Sequence, residues 1–361
     1  MKILVIHASA GAGHMKAAEA IYEGVTKHTD HQCQLFDALD YTSPFFKKLY
    51  RNSYAFLITK IPFVWGGVFS LLDQPCLQGT VRSFRRVYNA VNAQRLQQFL
   101  KSENFDYIIS THFMPTEVSA ALKRAGKIRA TLITVITDFD VHKIWTADGV
   151  DHYCVASSWT KKKLVSLGVA DHKISASGIP TSEKFFDHPD IQELKGRLGL
   201  KENDFTVLIA TGSFGIGPIE EIIRQLKDFQ VIVVCGHNKL LYERLSKSAD
   251  SNVKVMGLVS NMHELMAVSD VMVTKPGGLS IAEALVSQLP LIFFNAIPGQ
   301  EERNVYVLNQ HGIGFSGKSI QAIADELQRL KSSKDAFLTT LKKTKDLARP
   351  SAVREIISLV K

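Results

Sequence analysis

Short, almost unbroken apolar runs recur along this chain, separated by longer segments of helical period. In the first half they fall at Ile3–His7, Cys33–Leu39, Tyr107–Thr111, Thr131–Thr137, His152–Ala156 and Lys173–Ser177. In the second half they fall at Thr206–Thr211, Val231–Cys235, Val253–Gly257, Val271–Thr274, Leu291–Asn295 and Gly314–Phe315. A strand with one wet face alternates apolar and polar residues, whereas a strand covered on both faces does not. The pattern therefore predicts α/β architecture, with parallel sheets between layers of helix. The two sets, split by the polar segment Pro180–Asp204, predict two Rossmann-like domains with parallel sheets facing across a cleft, because ligands bind beyond the carboxyl ends of such strands. The expected divisions are a first domain over 1–180, a linker over 181–204 and a second domain over 205–345. The segment 346–361 is expected to pack back on the first domain. Two C-terminal helical stretches, Ser319–Lys345 and Ser351–Val360, are separated by Pro350.

Composition adds little to this picture, but the placement of charge adds more. At 361 residues, 45% apolar and 22% charged, the chain fits a globular protein of more than one domain. Its four cysteines, Cys33, Cys76, Cys154 and Cys235, are scattered. They form no metal-ligand spacing, and three of them lie in apolar runs, so free thiols in a reducing cytoplasm are expected. Met1-Lys2 enters a strand directly, which predicts no secretory leader. The most apolar stretch, Ile61–Leu72, is only about a dozen residues, too short to span a bilayer. The net charge is +8. Between Ser43 and Lys101 stand nine basic residues (Lys47, Lys48, Arg51, Lys60, Arg82, Arg85, Arg86, Arg95, Lys101) and a single acid, Asp73. Tyr50, Tyr54, Phe63, Trp65 and Phe69 are interleaved with them. Aromatics among cations suit an anionic membrane surface, or else a helical insertion packed on the domain. No nucleic-acid-binding pattern accompanies the cluster, so nucleic acid is not expected as a partner.

The segment Thr274–Asn304 carries the most chemistry. After the apolar run Asp270–Val273 come Pro276, Gly277 and Gly278, then a helical pattern with Ser280 in its first turn and Glu283 one turn on. A strand, a Gly-rich turn and a helix N-terminus form a phosphate cradle, because N–H groups and the helix dipole point at the anion. A carboxylate one turn into the helix can accept ribose hydroxyls. After the run Pro290–Phe294, a Pro-Gly loop offers Gln300, Glu301, Glu302 and Asn304 to the hydroxyls of a sugar. The whole reads as a nucleotide-sugar site.

Other strand ends carry related motifs. In H-A-S-A-G-A-G-H, Gly11 and Gly13 are expected to turn the backbone sharply and bring His14 to the start of a helix. There it is either a general base for an acceptor hydroxyl or a capping residue. Lys16 stands where a dinucleotide fingerprint needs its third glycine, so NAD is disfavoured. In T-D-F-D-V-H-K-I-W, Asp138, Asp140 and His142 have metal-like spacing. A polar wall, or a group orienting His14, is the reading preferred to a metal site. Thr111 and His112 end another strand in the same way. T-G-S-F-G-I-G-P, with Gly212, Ser213 and Gly215, is either a diphosphate cradle or a tight βα turn. C-G-H-N places Asn238 where it can meet a base or phosphate.

In this order, the blocks H-A-S-A-G-A-G-H, I-I-S-T-H-F-M-P, T-D-F-D-V-H-K-I-W, S-G-I-P, T-G-S-F-G-I-G-P, C-G-H-N-K-L, K-P-G-G-L-S-I-A-E-A and I-P-G-Q-E-E-R-N resemble the monogalactosyldiacylglycerol synthase and processive diacylglycerol glycosyltransferase group of glycosyltransferase family 28. The resemblance implies a GT-B fold, with the nucleotide mainly on the C-terminal domain and a lipid acceptor on the N-terminal one. It implies inverting transfer of a hexose from a UDP-sugar to a diacylglycerol hydroxyl, with no cofactor and no essential metal. The setting it implies is the cytoplasmic face of the cell membrane, with the enzyme bound peripherally. His14 matches the catalytic histidine; Asp138, read above as a group orienting it, is the second catalytic candidate from the residues themselves. Gly277 and Gly278 match the turn over the diphosphate, and Glu283 matches the ribose acid. Gln300, Glu301 and Asn304 match the sugar contacts, and Val259 joins the donor set. Ser213 and Phe214 stand where the family carries glycines. The rival readings are a peptidoglycan-precursor N-acetylglucosaminyltransferase, whose first turn reads G-G-T-G-G-H instead, a UDP-sugar 2-epimerase, and a non-enzymatic UDP-sugar sensor.

Overall fold

The computed structural model describes residues 1–9, 11–44, 46–50, 66–67, 92–187, 189–212, 215–294, 296–317 and 319–361. The chain divides into two compact units. One comprises Met1–Ser182, Ile297–Arg303 and Arg349–Lys361; the other comprises Glu183–Ala296 and Asn304–Ala348.

The first unit is built on β1 (Lys2–His7), β2 (Gln32–Asp37), β3 (Tyr107–Ser110), β4 (Thr131–Val135), β5 (His152–Cys154) and β6 (Ile174–Ser175), with α1 (Ala12–His28) and α2 (Phe113–Arg124) among its helices. All neighbours pair in parallel, in the order β2-β1-β3-β4-β5-β6. The unbroken apolar runs have the expected cause. Ile3 and Val5 enter one core with Ala18, Ile21 and Val25 of α1, while Leu4 and Ile6 enter another with Leu96 and Leu100. With both faces covered, no alternation is left to see.

Helix Ala352–Ile357 packs on α1, where Gly24 makes room for it: a Cβ there would lie 2.2 Å from Cγ1 of Val353. Val353 is buried and stiff at χ1. Gly24→Ala is therefore expected to destabilise the protein by about 1–3 kcal/mol through overpacking, despite alanine's better helix propensity. Urea unfolding of the two proteins measures this directly.

The second unit is built on β7 (Thr206–Ala210), β8 (Gln230–Val234), β9 (Val253–Met256), β10 (Val271–Thr274), β11 (Leu291–Phe293) and β12 (Phe315–Ser316). Its order is β12-β11-β10-β7-β8-β9, again all parallel. Its helices include Ile219–Arg224, α3 (Lys239–Ser248), α4 (Gly278–Val286) and, from Asn304 on, α5 (Gln300–Gln310). Strand order reverses between β1 and β3 in the first unit and between β7 and β10 in the second. These reversals mark where ligands enter such sheets, and the chemical motifs lie at the carboxyl ends of those same strands.

Two details differ from the sequence expectation. Gln300–Asn304 is not a loop but the start of α5. Oε2 of Glu301 accepts the N–H of Ile297 at 2.8 Å and Oε2 of Glu302 accepts that of Gly299 at 3.3 Å, so both carboxylates stabilise the entry to the helix. The stretch Ser319–Lys345 is two helices, Ile320–Ser332 and Lys334–Leu347, broken at an extended Ser333 whose hydroxyl caps the second at the N–H of Ala336. In the turn between β1 and α1, Gly11 is extended (φ −151°, ψ 160°), and Gly13 lies within α1.

Candidate active site

In the first unit, the turn after β1 delivers His14 into the first turn of α1, next to the end of β3 and the residues following β4. The Nδ1 atom of His14 lies 2.9 Å from the Thr111 carbonyl oxygen and 2.9 Å from Oγ1 of Thr137. A carbonyl only accepts, so Nδ1 carries the proton and donates it, leaving the lone pair on Nε2. Thr111 completes the clasp by donating its hydroxyl to the His14 carbonyl at 2.8 Å. The His112 ring meets His14 edge-on with centroids 4.7 Å apart, and Trp145 lies 6.0 Å away. Burial pushes the His14 imidazole down to about 4; the Thr111 carbonyl works against that shift and nearby His7 adds to it. The ring is therefore neutral at pH 7, as a base must be before it takes a proton.

His112 is spent on structure. Its Nδ1 accepts the Met114 N–H at 3.1 Å and caps α2. The Tyr50 ring stands 6.4 Å from His112 and stacks on Phe46. Lys47 pairs with Asp40. Of the aromatic-basic segment named above, Arg51, Tyr54, Lys60, Phe63, Trp65, Phe69, Arg82, Arg85 and Arg86 lie outside the described residues.

Asp138 is buried and accepts Nε2–H of Gln300 at 2.6 Å. Asp140 sits 3.7 Å from the guanidinium of Arg303, and Nδ1 of His142 accepts the Ile144 N–H at 3.0 Å. Among the described residues, no three His, Cys, Asp or Glu side chains are gathered to hold a metal ion. The His14 ring is held instead by Thr111 and Thr137, whose carbonyl and hydroxyl oxygens face its Nδ1–H. Sequence reading placed both residues near the site without seeing this role. The signal was there, since each ends an apolar run beside a polar motif, but which residue meets His14 is set by the sheet.

In the second unit, α4 begins at Gly277 with no side-chain cap and no acid in its first turn. Its N-terminal N–H groups and the positive end of its dipole suit a phosphate. Gly278, Leu279, Ile281, Ala282, Ala284, Leu285 and Val286 are buried. What remains on the open side of the helix is Gly277, Ser280 and Glu283, spaced by three and so on one face. Asn304 is 1% exposed and donates Nδ2–H to the Pro276 carbonyl at 3.0 Å, bracing the turn that precedes the helix. Asn238 has a similar duty. It caps α3 at the Leu241 N–H (3.0 Å) and donates to the Gly215 carbonyl at 2.8 Å, tying the turn after β8 to the turn after β7. Gly212 and Gly215 have φ of 67° and 62°, and a Cβ on Gly215 would lie 2.5 Å from the Cys235 carbonyl, so glycine is required there. Ser213 and Phe214, in the same turn, lie outside the described residues. Val259 is half-buried beyond β9. Cys154 and Cys235 are buried free thiols and Cys33 is half-buried; Cys76 lies outside the described residues.

Residues 14–181 match the monogalactosyldiacylglycerol (MGDG) synthase family, and residues 201–348 match the glycosyltransferase family 28 C-terminal domain. A processive diacylglycerol beta-glucosyltransferase of Staphylococcus epidermidis is 31% identical over 326 residues, 87% of this chain and 80% of that protein. The chain belongs to this glycosyltransferase family. Another enzyme of the same name, from Bacillus cereus, is 29% identical over 372 residues, 99% of this chain and 93% of the relative. Among solved structures, Anabaena HepE in complex with UDP superposes with a TM-score of 0.60 at 15% identity, covering 100% of this chain and 99% of HepE. The chain thus shares the GT-B fold and is a UDP-sugar-dependent glycosyltransferase.

Proposed function

We propose that this chain transfers a hexose from a UDP-sugar to the free hydroxyl of diacylglycerol, with inversion at the anomeric carbon. The observation that carries the reading is the state of His14 in a chain that belongs to this family along nearly its whole length: a neutral imidazole, its Nδ1–H held, its Nε2 lone pair left for an acceptor. Nε2 takes the hydroxyl proton as the oxygen attacks the face of the sugar opposite UDP. The departing diphosphate is stabilised by the N–H groups at the start of α4, a preorganised electrostatic contribution that needs no reorganisation. Glu283 holds the ribose hydroxyls, and Gln300 and Glu301 lie near the sugar. No metal is assigned a step, so transfer is expected to persist in excess chelator, measured as product formed with and without EDTA.

The enzyme works on a membrane lipid, and among the described residues no helix is long and apolar enough to cross a membrane. The cations between Ser43 and Lys101 supply a peripheral attachment to anionic lipid on the cytoplasmic face. Such attachment is screened by salt, so binding to anionic vesicles should fall as ionic strength rises.

The deciding assay presents a panel of labelled UDP-sugars with diacylglycerol vesicles and identifies the product. A glycosyl-diacylglycerol is expected. An epimerised UDP-sugar formed without acceptor, or transfer only to a lipid-linked muropeptide, would replace this reading.

A further inference from the structure

The end of β1 carries two polar atoms that His14 does not account for. Nδ1 of His7 and Oγ of Ser9 are both sealed from solvent, and neither has a hydrogen-bond partner among the described residues. His7 as a whole is 6% exposed. A buried polar atom left without a partner costs free energy, so such pairs in a well-packed region point to a ligand or to ordered water.

Their placement is not accidental. Along an extended strand, alternate residues share a face. Leu4, Ile6 and Ala8 belong to one core and Ile3 and Val5 to the other, where α1 packs. His7, the last residue of β1, continues the Ile3 and Val5 face, and Ser9 stands two residues on, in the turn that leads to α1, the helix that carries His14. That helix start has no side-chain cap, and a Cβ on Gly11 would meet nothing within 4 Å. Asp37, opposite His7 in the β1–β2 register, fixes the backbone: its Oδ1 accepts the N–H of Ser9 at 3.2 Å and of Leu39 at 3.0 Å.

The charge around these two atoms selects the ligand's chemistry. Burial lowers the proton affinity of His7, while Asp37, Glu19 and Asp40 act in the opposite sense. Three carboxylates near a neutral imidazole disfavour an anion. An uncharged oxygen that meets a hydroxyl and an imidazole nitrogen incurs no such repulsion. We propose that His7 and Ser9 form a subsite that seats an uncharged oxygen of the acceptor lipid, a hydroxyl or an ester carbonyl, beside His14. The inference rests on the glycosyltransferase reading above, with His7 and Ser9 as positioning residues for the acceptor.

The test uses the full-length protein, UDP-sugar and diacylglycerol vesicles, with Ser9→Ala and His7→Phe. Loss of one buried hydrogen bond to ligand should raise the acceptor KM by about tenfold, leaving the donor KM and the affinity for UDP unchanged. Thermal stability provides the second readout. Because Oγ of Ser9 has no hydrogen-bond partner among the described residues, Ser9→Ala should leave the melting temperature unchanged or raise it, whereas a structural hydroxyl would lower it. An unchanged acceptor KM in Ser9→Ala, or an equal rise in donor KM, overturns the proposal and leaves these atoms to water or to the donor. If the wild-type protein makes no glycosyl-diacylglycerol at all, the functional reading itself has failed, and the two failures are thereby distinguished.

Discussion

His14→Ala should reduce transfer by about 10²–10⁴-fold, the usual contribution of a positioned general base, while UDP binding stays near the wild-type level. The separation follows from the architecture. His14 is clasped by Thr111 and Thr137 within the first unit, and the phosphate-directed helix α4 belongs to the second. Calorimetric titration with UDP and single-turnover transfer, measured on the same preparation, check both halves. Near-normal turnover in the variant would remove His14 from the mechanism.

The pH dependence gives a second signature. With its imidazole pushed down to about 4 from 6.5, His14 stays unprotonated well below the range in which free imidazole titrates. The acid limb that His14 imposes on turnover should therefore lie well below pH 6.5. The sign for stability is the reverse of a salt-bridged histidine. The unfolded chain takes up a proton at this residue below 6.5 while the folded chain does not, so stability contributed by the neutral, buried ring is lost as pH falls from 6.5 toward 4. His14→Ala should flatten that part of the stability curve, as measured by denaturant unfolding at a series of pH values. Thr137→Val, which removes one partner of Nδ1, should lower turnover less than His14→Ala does.

Much of this architecture is legible in the sequence because a parallel sheet covered on both faces leaves a simple trace. Ile3–Ile6 and Val231–Cys235 are apolar throughout since no residue in them faces water. The Gly277–Glu283 pattern is equally plain, because a Gly-rich turn and a helical period are local features. The details that escaped depend on neighbours far along the chain. Asn304 looks like a sugar contact in a polar stretch, yet it is 1% exposed and braces the Pro276 carbonyl. Asn238 looks like a ligand for base or phosphate and is a clamp between two turns. An amide side chain advertises hydrogen bonding but not its partner, and at both positions the partner is a backbone group brought close by the sheet. Gln300–Asn304 read as a loop because Pro298 and Gly299 precede it; the same two residues, followed by Glu301 and Glu302, equally describe a helix start. His7 and Ser9 were passed over because nothing in a sequence shows that a buried polar atom lacks a partner.

Gly277→Asp should make the protein more stable and far weaker in binding UDP. Gly277 is the N-cap of α4, with φ −72° and ψ 134°, a conformation open to any residue, and a Cβ there would meet nothing within 4 Å. The fold itself therefore does not demand glycine at this position. Aspartate is a better cap and adds a negative charge at the positive end of the dipole, worth about 0.3–1 kcal/mol in stability. The same carboxylate would occupy the N–H groups that a diphosphate needs and would repel it. At an effective dielectric of about 20, two unit charges roughly 4 Å apart cost about 4 kcal/mol, so a fall in UDP affinity of more than about 10²-fold is expected. Uridine, which has no phosphate, should bind the variant and the wild type alike, while Gly277→Ala should lose much less UDP affinity than Gly277→Asp. If Gly277→Asp kept its UDP affinity, the diphosphate would not lie at the start of α4. An equal loss for uridine would instead mean that the substitution damages the unit as a whole. Glycine at this position is then explained by the ligand rather than by the backbone: the residue that would best cap the helix is the one that would exclude the donor.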